Sequence, residues 1–289
     1  MKQVSIIGLG LIGGSLGLAL KQAGQGDIRI VGYTRTSESA AMALKVGAVD
    51  KIADSPALAV DQADLVVLAT PILAMKDILQ QIVSCLRPGC IVTDTASTKA
   101  KVMQWAAELL PQGIDFIGGH PMAGKELSGV MAAEATLFSG CTYCLVPGAS
   151  ASSKSVQWMA ELVKKMGATP LFISAAEHDD CVAGISHLPF LVSVALVTAT
   201  TKGKMWESMS RLAASGYRDT TRLASQSPEM CRDICASNQE NIIRWIDKFI
   251  TELSELRHTI VANPISIDKV LVEARQTRQR WLEEYDKES

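Results

Sequence analysis

Residues 4–13 read Val4-Ser5-Ile6-Ile7-Gly8-Leu9-Gly10-Leu11-Ile12-Gly13, an apolar strand-like run that passes directly into glycines spaced Gly-x-Gly-x-x-Gly. An apolar helical pattern follows to about residue 22. Between a strand and a helix, such glycines permit a tight turn and the close approach of a pyrophosphate to the helix N-terminus. We therefore predict a dinucleotide site that includes Gly8, Gly10, Leu11, Ile12 and Gly13. The alternative is a glycine-rich turn that only packs a helix on a strand.

The same alternation of short β-branched runs and helical patterns continues to about residue 173. It predicts an α/β fold of Rossmann type, with a mainly parallel sheet covered on both faces. From residue 175 the pattern is helical throughout, which predicts a dinucleotide-binding domain at 1–174 and an all-α domain at 175–289. Helices that long often pack against a second subunit, so we expect a homodimer formed through the helical domain. The predicted long helices are near 177–201, 204–214, 228–261 and 266–286.

Composition narrows the possible partners. The 289 residues contain 28 Lys and Arg against 30 Asp and Glu, a net charge of −2, so no broad basic surface suggests nucleic acid or an acidic membrane. We expect no secretory leader and no apolar stretch of membrane-spanning length, and hence a cytoplasmic protein that binds small molecules. The pair Cys141 and Cys144 lacks further ligands at metal-binding spacing, so no metal is expected.

The end of the second predicted strand bears on the choice of nicotinamide cofactor. A carboxylate there would bind the ribose hydroxyls of NAD, whereas hydroxyls and an arginine suit the extra phosphate of NADP. The sequence offers Thr34, Arg35 and Thr36, with no carboxylate before Glu38. This pattern favours NADP, and NAD remains possible if Arg35 is only a solvated surface residue.

Two further strand ends carry reactive side chains. Ser97 follows one predicted strand, and His120 follows the next, between glycines and beside Pro121. The carboxyl edge of an open α/β sheet is where ligands bind, and an imidazole there can accept a proton from a substrate hydroxyl. Alternatively, Ser97 or Thr98 only caps the following helix, and His120 is an ordinary loop histidine.

The helical half contains two more candidate segments. His187 lies two residues before Pro189 within an apolar helical pattern, either as a core histidine or as one aimed by a kink. The stretch from Gly216 to Arg222 also holds Arg218, and guanidinium groups bind carboxylates bidentately. The alternative for that stretch is a solvated helix cap with local ion pairs.

Taken together, six motifs resemble the prephenate/arogenate dehydrogenase family, and they follow one another over most of the chain. The resemblance implies a nucleotide-binding domain, a helical dimerisation domain and an active site between them. These motifs are Gly8-x-Gly10-x-x-Gly13, Thr70-Pro71, Asp94-x-x-Ser97-x-Lys99, Gly119-His120-Pro121-Met122-Ala123-Gly124, Ile185-Ser186-His187-Leu188-Pro189 and Gly216-Tyr217-Arg218-Asp219-Thr220-Thr221-Arg222.

The resemblance also implies roles for single residues. His120 would accept the hydroxyl proton of the substrate while Ser97 orients it, and Thr70 and Pro71 would lie at the cofactor. Arg222, helped by Arg218, His187 and Gly216, would bind carboxylate. The implied reaction is the oxidative decarboxylation of prephenate, with arogenate as the alternative substrate.

One departure from the family pattern concerns Lys125 and Glu126, which follow the glycine of the histidine segment. A cation at Lys125 can attract the carboxylates of prephenate, and Glu126 can neutralise that cation or gate the site. Two other functions compete with this one. A 3-hydroxyacid dehydrogenase would need a catalytic lysine where this chain has His187, and a non-catalytic NADP sensor would not need Ser97, His120, His187 and Arg222.

Overall fold

The fold centres on one eight-stranded sheet in a computed structural model that describes residues 2–24, 28–125 and 127–288. The strand order is β3-β2-β1-β4-β5-β6-β7-β8, and the strands from β1 to β6 pair in parallel. This arrangement confirms the predicted, mainly parallel Rossmann-type sheet. The strands are β1 (Lys2–Ile7), β2 (Ile28–Tyr33), β3 (Lys51–Ile52), β4 (Leu65–Leu68), β5 (Ile91–Asp94), β6 (Asp115–Pro121), β7 (Thr142–Pro147) and β8 (Thr169–Phe172).

The last two strands reverse the direction of the sheet. β7 is antiparallel to β6, with Pro121 opposite Tyr143, and β8 is parallel to β7. Because β7 starts beside the end of β6, residues 122–141 leave and return at the same edge of the sheet. Within them, a short 3-10 turn at Val130–Ala132 packs on the helix after β1. This connection therefore lies at the carboxyl edge, next to the predicted cofactor loop.

Helices cover both faces of the sheet and then form the C-terminal part. Five begin at a Ser or Thr whose hydroxyl accepts a hydrogen bond from the backbone N–H three residues later, the usual N-cap arrangement: Thr36, Ser55, Ser152, Ser174 and Ser227. The helices are α1 (Leu11–Gly24), α2 (Ser37–Lys45), α3 (Pro56–Val60), α4 (Met75–Ile82), α5 (Ala100–Leu109), α6 (Ser153–Lys165), α7 (Ala175–Val182), α8 (Leu188–Thr201), α9 (Trp206–Leu212), α10 (Ser215–Thr221), α11 (Pro228–Ser237), α12 (Gln239–Ala262) and α13 (Asp268–Glu288).

The core has two layers, one on each face of the sheet. One contains apolar side chains of α1 and α6, such as Leu16 and Val163. The other contains α4 and α5 together with Phe190 of α8 and Ile242 of α12. The helical part is thus packed into the second layer rather than joined to the sheet only by a linker, and it can bring side chains to the carboxyl edge.

The first helical segment runs without interruption from Ala175 to Thr201. A π-helical segment, Ala183–His187, joins α7 to α8 just before Pro189 and so accommodates the lost backbone donor. The expectation that no apolar stretch reaches membrane-spanning length was wrong, because this helix is long and apolar enough to qualify. Only 28% of its most apolar 18-residue window is buried, so much of one apolar face is left open in the single chain.

One predicted helix and one candidate binding segment differ in the structure. The helix predicted at 228–261 is two helices, α11 and α12, which meet at Asn238. The stretch from Gly216 to Arg222, interpreted as a possible binding loop or helix cap, is mostly the short helix α10. Its continuation, a 3-10 turn at Arg222–Ser225, packs on α8.

Candidate active site

The glycine loop has the geometry of a dinucleotide site. Gly8 has a φ of 100°, which favours glycine, and a Cβ there would collide with the carbonyl oxygen of Ala69. A Cβ at Gly13 would collide with the carbonyl oxygen of Gly8, so Gly13 allows α1 to pack against the loop. A Cβ at Gly10 would meet nothing within 4 Å. Gly10 therefore leaves the helix N-terminus open to a phosphate, as a bound dinucleotide requires.

The neighbouring strand end supports the same fit. Thr70 follows β4, the strand beside β1, and a methyl group of Thr70 lies near Gly8. Its buried hydroxyl has no hydrogen-bond partner within the described ranges. A buried hydroxyl without a partner is costly, so a ligand atom at this position would be stabilising. The residues present fit a nicotinamide dinucleotide.

Of the residues after β2, Thr36 has a structural role and Arg35 is accessible to a ligand. The Thr36 hydroxyl accepts from the backbone N–H of Ser39 at 3.3 Å and caps α2. Arg35 is exposed and forms no ion pair with any residue that the structure describes. The guanidinium is thus available for a phosphate group, and Thr34 lies between it and the end of β2.

A buried ion pair joins the ends of β5 and β6. Lys99 and Asp94 are both fully buried and pair directly. The Lys99 ammonium also donates to the carbonyl oxygen of Gly119 at 2.5 Å, and the Gly119 N–H donates to Asp94 Oδ1 at 3.1 Å. Burial lowers the pKa of Lys99, and the Asp94 carboxylate opposes that shift. The pair fixes the backbone immediately before His120.

His120 lies within β6 rather than on a turn after it. The prediction that His120 follows the strand was wrong, because pairing with β7 extends the strand through Pro121. Gly119 is needed for close packing, since a Cβ there would lie 2.5 Å from the Asp94 carbonyl oxygen. The imidazole therefore projects from a strand that pairs with β7 on one side and is held by Lys99 and Asp94 at Gly119 on the other.

The His120 ring is held by a second histidine. His120 Nδ1 and His178 Nε2 are 2.9 Å apart, and His178 Nδ1 lies 2.8 Å from Asp179 Oδ1. His178 and Asp179 are each only 1% exposed. His120 Nε2 forms no hydrogen bond with any described residue, and the ring is partly exposed. The free nitrogen of His120 is thus available to a substrate.

Burial lowers the pKa of His120 well below its ordinary value of 6.5, and the nearby positive charge of Lys99 adds to the shift. A histidine with a lowered pKa is neutral near pH 7. It can therefore accept a proton, which is the chemistry expected of a general base.

Asp179 also caps a helix that belongs to the sheet part of the chain. Its carboxylate accepts from the backbone N–H groups of Lys99 at 2.6 Å and of Ala100 at 2.9 Å, at the start of α5. Neither Ser97 nor Thr98 caps α5. The Thr98 hydroxyl donates to Ser237 at 2.9 Å instead. Among the described residues the Ser97 hydroxyl has no hydrogen bond. The half-buried Ser97 is therefore available to a ligand.

His187 lies at the end of the π-helical segment, and its ring is buried. Asn238 Nδ2 approaches His187 Nδ1 at 3.3 Å and also donates to the backbone oxygen of Asp179 at 2.7 Å. His187 Nε2 is buried and has no partner in the part of the chain that the structure describes. Burial lowers the pKa of His187 to about 4, so this ring is also neutral near pH 7.

One hydrogen-bonded network thus connects the two predicted histidines. It runs from His120 through His178, Asp179 and Asn238 to His187. The three middle members were not among the residues predicted from the sequence. The adjacent His178 and Asp179, just inside a helix capped by Ser174, were the available signal, but nothing in a linear pattern tells which strand end that helix faces.

The remaining predicted residues lie on α10, on the 3-10 turn after it and in the connection between β6 and β7. Arg218 is largely exposed on α10, with its Nε 3.7 Å from Asp219 Oδ1, and Arg222 begins the 3-10 turn packed on α8. Gly216 leaves open space beside α10. Lys125 lies in the connection between β6 and β7 and pairs with Glu134. Glu126 lies outside the described residues.

Comparison with known proteins gives a consistent result. Family models described as the nucleotide-binding domain and the dimerization domain of prephenate dehydrogenase match residues 16–171 and 174–275. The chain is 39% identical over 256 residues to the prephenate dehydrogenase of Bacillus subtilis (strain 168), over 88% of this chain and 69% of that protein.

Two solved structures are similar over nearly their whole length. Prephenate dehydrogenase from A. aeolicus, in complex with hydroxyphenyl propionate and NAD+, superposes with a TM-score of 0.89 at 29% identity, covering 98% of each chain. Synechocystis arogenate dehydrogenase gives a TM-score of 0.83 at 29% identity, covering 96% of this chain and 99% of that one. With the dinucleotide loop and the histidine network already in place, these matches show that the chain belongs to the prephenate dehydrogenase family.

Proposed function

We propose that this protein is a prephenate dehydrogenase that converts prephenate to 4-hydroxyphenylpyruvate and carbon dioxide with NAD(P)+. The observation that carries the proposal is the neutral His120, whose Nε2 forms no hydrogen bond with the described residues and lies on the same sheet edge as the open glycine loop. A base and a dinucleotide site on one edge suit the removal of a proton and a hydride from the same alcohol. The competing 3-hydroxyacid dehydrogenase and non-catalytic sensor are disfavoured by the family and by this base.

In the proposed reaction, His120 Nε2 accepts the proton of the ring hydroxyl as the carbonyl develops. When bound, the nicotinamide supplies the acceptor for the hydride from the hydroxyl-bearing carbon. The ring carboxylate leaves as carbon dioxide, and the electrons of its broken bond enter the ring, which becomes aromatic. His120 then returns its proton to the phenolate oxygen. Ser97, whose hydroxyl forms no hydrogen bond with the described residues, orients the reacting hydroxyl toward the base.

His187 is proposed to bind a carboxylate or carbonyl oxygen of the substrate. Two other hydrogen bonds orient the Asn238 amide. Asn241 Nδ2 donates to Asn238 Oδ1 at 2.8 Å, and Asn238 Nδ2 donates to the backbone oxygen of Asp179. An N–H group therefore faces His187 Nδ1, which must be the unprotonated nitrogen. The ring proton then lies on the buried Nε2, a donor that has no partner among the residues that the structure describes.

Other substrate contacts come from the rim of the site. We assign carboxylate binding to Arg222 and Arg218 next to Gly216, because guanidinium groups bind carboxylates bidentately. Lys125 adds a cation at the rim, which is moderated by its pairing with Glu134, and Glu126 follows it in the same connection. These charges favour the doubly anionic prephenate over arogenate, whose side chain carries an amine. Arogenate dehydrogenase is therefore the second candidate.

The cofactor preference is proposed to be NADP over NAD. The support is the exposed Arg35 after β2, which forms no ion pair within the described part of the chain and is flanked by Thr34 and Thr36. Replacing Arg35 with Leu is expected to raise KM for NADP by about tenfold or more, the value of a charge-assisted hydrogen bond, with little change for NAD. Equal effects on both cofactors would contradict the preference.

Assembly and location complete the proposal. The open apolar face of the Ala175–Thr201 helix, with exposed Ile243 and Ile250 on α12, suits a homodimer formed through residues 175–289. Residues 1–174 form the dinucleotide-binding domain in this division. The near-neutral charge and the small-molecule site suit a cytoplasmic enzyme that uses neither nucleic acid nor a membrane.

The direct test is an absorbance assay of NAD(P)H formation with prephenate and with arogenate, each against NAD+ and NADP+. We expect the highest kcat/KM with prephenate and NADP+. Higher kcat/KM with arogenate would support the second candidate. No turnover with any of the four combinations would overturn the proposed function.

A further inference from the structure

His178 contacts the proposed base, His120, but takes no part in the proton and hydride transfers proposed above. It is 1% exposed and lies on α7, the first helix after the sheet, yet its Nε2 reaches the strand-borne His120 at 2.9 Å. A buried imidazole that bridges a carboxylate and a second imidazole has a defined proton arrangement. That arrangement can be worked out from the carboxylate outward.

Asp179 determines the orientation of protons in the chain. Its Oδ1 accepts from the Lys99 N–H and its Oδ2 from the Ala100 N–H, both at the positive N-terminal end of α5. These contacts suit an ionised carboxylate, which can only accept hydrogen bonds. His178 Nδ1, 2.8 Å from Oδ1, must therefore be the donor.

A neutral His178 that donates through Nδ1 has a lone pair at Nε2. Nε2 then accepts, and the atom 2.9 Å away, His120 Nδ1, must carry the proton. A neutral His120 with a proton on Nδ1 has its lone pair on Nε2, the nitrogen that forms no bond with the described residues. These assignments hold for a neutral His178, because a protonated ring would donate from Nε2 and would place the proton of a neutral His120 on its own Nε2.

We propose, resting on the function proposed above, that His178 and Asp179 are positioning residues which hold His120 as the Nδ1–H tautomer, so that Nε2 faces the substrate hydroxyl as an acceptor. The same contacts fix the orientation of the ring. After His120 accepts a proton, its Nδ1–H still donates to His178, and the Asp179 carboxylate stabilises the new cation through the intervening ring. No atom of His178 or Asp179 is changed by the reaction.

This arrangement makes the base depend on the docking of the helical part. His178 and Asp179 lie on α7, whereas His120 is on β6 and the Asp179 partners are at the start of α5. Loss of the His178 ring would leave the His120 tautomer free to exchange, while the strand that carries His120 stays clamped by Lys99 and Asp94. The effect should therefore appear in turnover rather than in folding or cofactor binding.

The test begins with the tautomers, measured without substrate. The chain contains only four histidines, so a long-range proton–nitrogen NMR spectrum of histidine-labelled protein can resolve each ring. The exposed His258 provides an assignment control through His258→Gln. We expect His120 to carry its proton on Nδ1 in the wild type. A His120 protonated on Nε2 would overturn the proposal.

The second part compares two substitutions of His178. His178→Leu removes the acceptor, whereas His178→Gln can present an amide oxygen close to the former Nε2. We expect His178→Leu to lose the single His120 tautomer and to lower kcat by about 10²-fold, with KM within about threefold. His178→Gln should recover at least about tenfold of that loss, and His258→Gln should match the wild type.

The outcomes separate this inference from the proposed function. If His178→Leu keeps the wild-type kcat, or if His178→Gln is no better than His178→Leu when both are folded and bind cofactor, the positioning role is wrong. Turnover of prephenate by a wild type that carries the Nε2–H tautomer at His120 would also overturn this inference, and the proposed function would stand. A wild type with the expected Nδ1–H tautomer but no turnover of any substrate would overturn the proposed function alone.

Discussion

The hydrogen bond at Nδ1 differs between the two histidines that face the proposed substrate. His120 Nδ1 meets the ring of His178, whereas His187 Nδ1 meets the side-chain amide of Asn238. By the argument from donors and acceptors, the first leaves a lone pair at Nε2 and the second leaves an N–H. Two identical side chains are thereby suited to opposite tasks, one accepting a proton and the other donating a hydrogen bond.

The donor role of His187 can be tested by substitution. His187→Leu removes the Nε2–H, and a hydrogen bond to a charged group contributes roughly 1.5–3 kcal/mol. We expect KM for prephenate to rise by about 10- to 100-fold with a smaller change in kcat. His187→Gln keeps an amide N–H near the same position, so its KM should be closer to wild type. Unchanged KM in His187→Leu would exclude the role.

Among the structural elements, the glycine loop Gly8–Gly13 contains one glycine that is needed for folding and another that is needed for cofactor binding. Gly13 is required by the packing of α1 on the loop, whereas Gly10 borders open space. We expect Gly13→Ala to lower the free energy of unfolding by about 1–3 kcal/mol, the usual cost of overpacking. Gly10→Ala should unfold like the wild type in urea but weaken cofactor binding in a fluorescence titration. Normal cofactor binding by Gly10→Ala would contradict the assigned phosphate position.

The elements also show how far the sequence could be interpreted. The strand–glycine–helix start, the change to helices near residue 175 and three of the four long helices predicted after it follow from local patterns, and the structure confirms them. β6 extends through Pro121 because of its pairing with β7, a contact that local patterns do not contain. The break at Asn238 was missed since both flanking segments are helical and the residue is used for side-chain contacts.

Some residues of the candidate site could be predicted from the sequence, whereas others depend on tertiary contacts. His120 and His187 stand out as rare residues in unusual settings, so sequence could nominate them. His178 and Asp179 gain significance only because α7 docks beside the start of α5, which is a tertiary contact. Lys125 could be named from sequence, but its ion pair with Glu134 depends on how the connection after β6 folds back.

Considered as a whole, the molecule holds the partly exposed ring of His120 and the buried ring of His187 where the sheet meets the helical part. Burial lowers the pKa of His187 to about 4 and that of His120 well below 6.5, whereas both return to about 6.5 in the unfolded chain. The unfolded chain therefore binds more protons below about pH 6.5, so stability should fall as the pH falls through this window.

The expected size of this effect follows from His187. Between about pH 7.5 and about pH 5, its protonation in the unfolded chain should lower the free energy of unfolding by about 2 kcal/mol. Urea denaturation at the two pH values, at one protein concentration, measures the change. His187→Gln should show a drop that is smaller by about that amount. An equal drop in the variant, or a wild type more stable at the lower pH, would contradict a buried neutral His187.

The proposed function depends most directly on His120 as the base. The decisive measurement is the steady-state turnover of His120→Asn with prephenate and NADP+, together with the Kd of the cofactor. General-base removal should lower kcat by about 10²- to 10⁴-fold while cofactor binding is unchanged, because the glycine loop is untouched. A kcat within about threefold of wild type, with cofactor binding intact, would contradict the account.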